Sequence, residues 1–189
     1  MTDRTDDFGP LPRGINHIGL TVPDLDAATA FFEKGFGALW CYDGLTLDDP
    51  PREGPEVEAQ LNLPKGARIL RQRLLRFGNG PNIEMFEVQS ADPAKPLELN
   101  DRGYNHICFY CDDIEGSLSR AVAAGGKAID KIHGNSRHED TPGNGSIYVA
   151  PPWGGLIELQ TIPNGNYYPT DSQADAWMPA KAEETHGTS

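Results

Sequence analysis

The chain has 189 residues, 38% of them hydrophobic and 23% charged, which is enough apolar material for one core of ordinary size. Its 28 acidic and 16 basic side chains leave a formal net charge of −12, which repels nucleic acid and anionic membrane and argues against either as a partner. No apolar run approaches the ~20 residues needed to span a bilayer, and residues 1–10 are acidic and polar, without the apolar stretch of a secretory signal. The three cysteines, Cys41, Cys108 and Cys111, are sparse and odd in number, which suits a reducing compartment and makes the cytoplasm the expected location.

In chain order, residues 1–13 are expected to form an arm. A β-strand is predicted over 15–22. Pro23 and Asp24 stop it, and Asp24 is placed to cap a helix over 25–35 whose apolar face is Leu25, Ala28, Phe31 and Phe32. A second strand is predicted over 38–47, followed by a Pro/Gly/acid loop at 48–55 and a short helix over 57–63 that Pro64 ends. A long strand over 67–77 turns at Gly78-Asn79-Gly80 and pairs back over 82–88. Residues 90–102 are a polar linker. The second half repeats the order: a strand at 103–111, a helix capped by Asp113 and ended by Gly125-Gly126, and strands at 127–132, 146–150 and 156–161. The domain reading is therefore a first module at 14–89, a second at 103–162 and an extended tail at 163–189, packed at Tyr167, Tyr168 or Trp177.

The halves are copies. Gly14-Ile15-Asn16-His17-Ile18 returns 89 residues later as Gly103-Tyr104-Asn105-His106-Ile107, and the register holds: Asp24 falls opposite Asp113, and Gly37 opposite Gly126. Each copy closes on an echo, Ile83-Glu84-Met85 and Ile157-Glu158-Leu159. Because successive strand residues face opposite ways, each copy aims one His and one Glu away from its helix. A lone strand histidine is ordinarily a satisfied core residue, but four ionisable groups at matching places need a shared partner, and a divalent metal is the simplest one. The set His17, Glu84, His106 and Glu158 suits Zn, Ni, Co, Mn or Fe. The expectation is that pairing the modules brings the four together in one concave sheet.

These motifs resemble the vicinal oxygen chelate superfamily, which includes glyoxalase I, methylmalonyl-CoA epimerase, bleomycin-resistance proteins and extradiol dioxygenases, over residues 14–162. The resemblance implies an α+β fold of two tandem βαβββ modules forming an open, barrel-like cup around one divalent metal ion, in a homodimer. Carried over by position, the ligands are His17, Glu84, His106 and Glu158. The leading expectation is a metal-dependent lyase or isomerase that moves a proton next to a carbonyl of a small oxygen-rich substrate through an enediolate, with Glu84 or Glu158 as the base. The alternatives are an Fe(II) extradiol dioxygenase, whose triad is His17, His106 and Glu158 with Tyr148 as an acid–base helper, and a non-catalytic, resistance-type binding protein. The stretch Ile147-Tyr148-Val149-Ala150-Pro151-Pro152-Trp153-Gly154 is similar to the dioxygenase signature but departs from it at Pro151 and in the position of His138.

Further candidate substrate contacts are Arg71 and Arg73, which can grip a carboxylate or phosphate if they face the cup and otherwise pair with acids along a solvated edge. Cys108 shares a face with His106 and is expected to line the pocket, whereas the Cys108–Cys111 spacing in a strand turns the two thiols apart. His138 sits in a polar loop at 133–141 that either covers the cup or is plain surface.

Overall fold

The computed structural model describes residues 14–180 except residue 94. The expected arm at 1–13, the end of the tail and His186 lie outside the described residues. The first module runs β1 (His17–Val22), α1 (Leu25–Phe36), β2 (Leu39–Leu45), α2 (Pro55–Leu61), β3 (Arg68–Arg76) and β4 (Asn82–Gln89). The second runs β5 (His106–Tyr110), α3 (Ile114–Ala123), β6 (Lys127–Ala128), β7 (Gly145–Ala150) and β8 (Leu156–Thr161), with one 3-10 turn at Arg137–Glu139. The α+β class and the doubled βαβββ order are thus as expected. Each module makes a separate four-stranded sheet, ordered β1-β4-β3-β2 and β5-β8-β7-β6, and the sheets do not close into a barrel. In both, the opening strand lies parallel to the closing strand and occupies an edge.

Helix α1 starts where Asp24, in extended conformation, accepts from the backbone N–H groups of Asp26 and Ala27 at 3.0 and 2.9 Å. It ends at Gly37, whose φ of 66° is the left-handed conformation a helix terminus uses and glycine adopts most readily. Asp113 caps α3 in the same way, accepting from Gly116 N–H at 2.9 Å. Helix α2 departs from expectation at both ends. It begins at Pro55, whose fixed φ suits a first turn, and it ends not at Pro64 but at Asn62, which takes the left-handed conformation. The helix buries none of its residues.

The two modules meet through their helix sides. Phe31, Phe32, Phe36 and Phe77 of the first pack with Phe109 and Trp153 of the second, with ring centroids 4.8–5.5 Å apart across the boundary. Helix α1 lies against α3 at Gly35, where an added Cβ would stand 3.2 Å from the Ala124 methyl and 3.3 Å from Ala121 Cα. The faces carrying His17 and His106 are the ones turned away from this shared core, since Ile18, Leu20, Ile107 and Phe109 point inward.

The described tail forms no helix or strand. It crosses from one module to the other: Tyr167 N–H donates to the His138 carbonyl at 2.7 Å, and the Asn79 side chain donates to the Ala180 carbonyl at 2.8 Å. Among the described residues no helix is long and apolar enough to cross a membrane.

Candidate metal centre

The two copies build the same constellation. In the first, Gly19 of β1 is registered against Glu84 of β4, so His17, two residues earlier, reaches Glu84 on the diagonal, with Nε2 3.4 Å from Oε2. In the second, Cys108 is registered against Glu158, and His106 Nε2 lies 3.5 Å from Glu158 Oε2. Both carboxylates are largely covered, and both imidazoles are partly open.

Behind each imidazole sits an asparagine. Asn16 Oδ1 is 2.9 Å from His17 Nδ1, and Asn105 Oδ1 is 2.8 Å from His106 Nδ1. An amide oxygen only accepts, so Nδ1–H is the group that can donate to it, and in the neutral imidazole Nε2 then turns a lone pair toward the carboxylate. Two acceptors set face to face are drawn together by a positive charge, either a proton that makes the ring an imidazolium or a shared metal ion. The separations fit a metal ion: at bond lengths of about 2.1 Å and tetrahedral angles, two ligands of one ion stand roughly 3.4 Å apart. Each pair therefore has the chemistry and spacing of half a mixed nitrogen–oxygen site.

The halves do not meet within one chain. Among the described residues no group of three or more His, Cys, Asp or Glu side chains could hold one ion. Pairing of the modules within one chain does not gather the four groups, because the aromatic core joins the modules through the opposite faces.

The surroundings of the two pairs differ. Beside Glu84, the Gln72 amide donates to Oε1, and Leu74 and Phe86 share the face. Gly44 leaves room for that glutamine, since a Cβ there would meet Gln72 Oε1 at 2.9 Å. Beside Glu158 the matching positions hold Tyr148, Ser146 and Gln160. Burial first, and the Glu158 carboxylate second, raise the Tyr148 phenol above its ordinary value, so it keeps its proton. Cys108 has one side open, yet desolvation by its neighbours, with Glu158 next, pushes its thiol up to about 12. It is thus a neutral wall residue rather than a nucleophile. Cys111 lies on the opposite face, near the Gln160 carbonyl.

The structure does not bring the other candidates to this face. Arg73 is registered against Met85 and Arg71 against Glu87, which puts both on the helix side of the sheet. Arg71 grips Asp26 with two bonds of 2.7 and 2.9 Å, and Arg73 grips Asp43 at 2.6 and 3.0 Å. These bonds hold the Asp26 and Asp43 carboxyls below their ordinary value. The arginines staple α1 and β2 to the sheet. His138 has an exposed side chain, and only its carbonyl is engaged. Its neighbour Glu139 is the loop residue that reaches the second half-site, accepting from Gln160 at 3.4 Å. Sequence reasoning passed over Gln72, Glu139, Gln160 and the two asparagines, although the Asn-His identity in both copies was a visible signal for the last pair.

Residues 16–141 match the family model described as the glyoxalase/bleomycin resistance protein/dioxygenase superfamily. A "2-epi-5-epi-valiolone epimerase" from Actinomyces sp. is 26% identical over 173 residues, spanning 91% of this chain and 92% of that protein. Among solved structures, a glyoxalase family protein from Bacillus cereus superposes with a TM-score of 0.63 at 18% identity, over 82% of this chain and 97% of that one. A genomically encoded fosfomycin resistance protein from Listeria monocytogenes superposes with a TM-score of 0.51 at 22% identity, over 80% and 94%. These two structural likenesses speak for the fold.

Proposed function

The chain belongs to the glyoxalase/bleomycin resistance protein/dioxygenase superfamily, and from that premise we propose that it is a divalent-metal-dependent epimerase or isomerase of a small oxygen-rich substrate, working as a homodimer. The observation that carries this reading is the repeated pair of lone-pair-to-lone-pair contacts, His17 with Glu84 and His106 with Glu158. The likeness to an epimerase over nearly the whole chain supports the choice of chemistry.

Four ligands require two copies. Among the described residues nothing pairs with the outer edges of β1 and β5, and exposed Ile15 and Tyr104 stand immediately before the two Asn-His pairs. Leu39, Trp40 and Tyr42 extend the uncovered apolar surface along β2. A second copy seated there sets His17 and Glu84 of one protomer against His106 and Glu158 of its partner.

The chain's own residues divide the work. His17, His106, Glu84 and Glu158 hold the ion, which when bound supplies Lewis acidity that makes a C–H beside a carbonyl easier to deprotonate. Glu84 is held by the Gln72 amide on one oxygen and faces His17 with the other, so it stays in place. Glu158 is flanked by the protonated Tyr148 phenol and the Cys108 thiol, and is the carboxylate placed to take the proton; its return to the same face gives isomerisation, and inversion requires the carbon to be reprotonated from the Glu84 side. Tyr148 donates a hydrogen bond to the substrate oxygen that gains charge. Leu74 and Phe86 shield the opposite wall from water.

The test is elemental analysis of protein purified without chelators, beside the His17→Ala variant, followed by incubation of polyhydroxylated ketones in heavy water. Bound Zn, Ni, Co or Mn lost in the variant, with deuterium entering next to the carbonyl, is the expected result. Iron with oxygen uptake on catechols would replace this reading by ring cleavage, and absence of any metal after reconstitution would leave a binding protein.

A further inference from the structure

We propose that Asn16 and Asn105 are the positioning residues of the metal centre, acting by fixing which nitrogen of each histidine is free. The metal-binding consequence rests on the function proposed above, whereas the tautomer itself does not.

Asn105 is held at both ends of its amide. Its Nδ2 donates to the Leu99 carbonyl at 3.1 Å, which anchors the amide and leaves Oδ1 for His106. Flipping the amide would set its oxygen against the Leu99 oxygen and its N–H₂ against the imidazole, losing the first bond. The orientation is therefore determined by the backbone, and the imidazole must present Nδ1–H to it. Asn16 repeats the contact at 2.9 Å on His17. Its own backbone carbonyl accepts from Asn82 N–H at 2.9 Å, which ties the residue to the first turn of β4.

The geometry has a local cause. Each asparagine is the last residue before its strand, where the side chain is not yet committed to one face of the sheet and can double back onto the next residue. Two residues earlier stand Gly14 and Gly103, with φ of 156° and 126°, the second in a region that disfavours any side chain. A histidine without this partner samples both tautomers, and one of them points a proton at the site. Holding Nδ1–H also makes Nε2 a better donor and stops the ring from turning.

The experiment uses full-length protein and two readouts. Long-range ¹⁵N–¹H correlation spectra of the metal-free protein at mildly alkaline pH report the tautomers of His17 and His106 directly. Titration with Mn(II), followed by electron paramagnetic resonance, reports affinity. Asn16→Ala is the cleaner variant, because among the described residues its side chain makes no second bond comparable to that of Asn105 on Leu99. Asn16→Asp keeps an acceptor oxygen and should rescue. Wild-type protein should show Nδ1–H on both rings. Asn16→Ala should mix the tautomers of His17 alone and weaken Mn(II) binding ~10- to 100-fold, and Asn16→Asp should restore both.

An unchanged His17 tautomer in Asn16→Ala would overturn the inference, as would weakened binding that Asp does not rescue, which marks a merely structural role. Wild-type protein that shows Nδ1–H but binds no Mn(II) would sink the proposed metal function while leaving the tautomer assignment standing.

Discussion

Tyr148 lies directly opposite Glu158 across the β7–β8 ladder, and its ring meets the His106 imidazole edge-on with centroids 5.7 Å apart. The phenol thus touches both members of one half-site while contributing no ligand to it. Tyr148→Phe should retain the metal stoichiometry and lower turnover by roughly 10² or more, the range of one acid–base group. Since burial and Glu158 raise the phenol of the metal-free protein, the tyrosinate absorbance that distinguishes wild-type apoprotein from Tyr148→Phe should appear above the ~10 of a free tyrosine. Steady-state rates beside metal analysis check the first statement, and an ultraviolet pH titration of the apoproteins checks the second.

The separation of the half-sites predicts complementation between defective chains. His17→Ala and His106→Ala homodimers should each lack a complete four-ligand centre. Co-expressed, the mixed dimer should contain one intact centre, drawing His17 from one chain and His106 from the other, and one doubly broken centre. Recovered activity that tracks the mixed species on affinity purification is the expected outcome, and no recovery would place all four ligands within a single protomer.

The Arg73 cluster carries a stability prediction with a defined sign. The Arg73 bond holds the Asp43 carboxyl below its ordinary value, so its contribution is present above the unfolded-state value of about 3.9 and is lost as pH falls through the lower folded value. Asp43→Asn should cost about 1–2 kcal/mol near neutrality, as one charge-assisted, partly covered pair does. The variant and wild-type urea midpoints should converge in strong acid.

Gly35 gives a packing prediction. A leucine there has no room against Ala121 and Ala124, and overpacking of this kind costs about 1–3 kcal/mol. Because the aromatic cluster spans both modules, Gly35→Leu should lower one cooperative melting transition rather than split it in two.

Much of the fold was legible because the chain states it twice. The register of 89 residues placed both Asn-His pairs and both helix caps, a separate echo at shorter spacing placed both closing Ile-Glu strands, and strand alternation told which face each histidine takes. Alternation failed for Arg71 and Arg73 because nothing in sequence said which face the shared core would use at β3, where a register shift between Ile69 and Arg71 interrupts the ladder. Their partners Asp26 and Asp43 lie far away in sequence, on α1 and β2, so the pairing was invisible. The relation between modules was equally hidden. Phe36, Phe109 and Trp153 are ordinary aromatic residues until packing shows that they cross the boundary and turn the histidine faces outward.

The pseudo-twofold scaffold is broken at four matched positions beside its glutamates. Gly19 answers Cys108, Leu74 answers Tyr148, Gln72 answers Ser146 and Phe86 answers Gln160. A perfectly symmetric site would accept a guest in two equivalent poses related by a half-turn, with neither end of the guest assigned to a particular glutamate. With one greasy wall and one wet, protic wall, the half-turn no longer maps the chamber onto itself. Which end of a guest meets which glutamate is thereby written into a few side chains laid over a backbone that repeats itself.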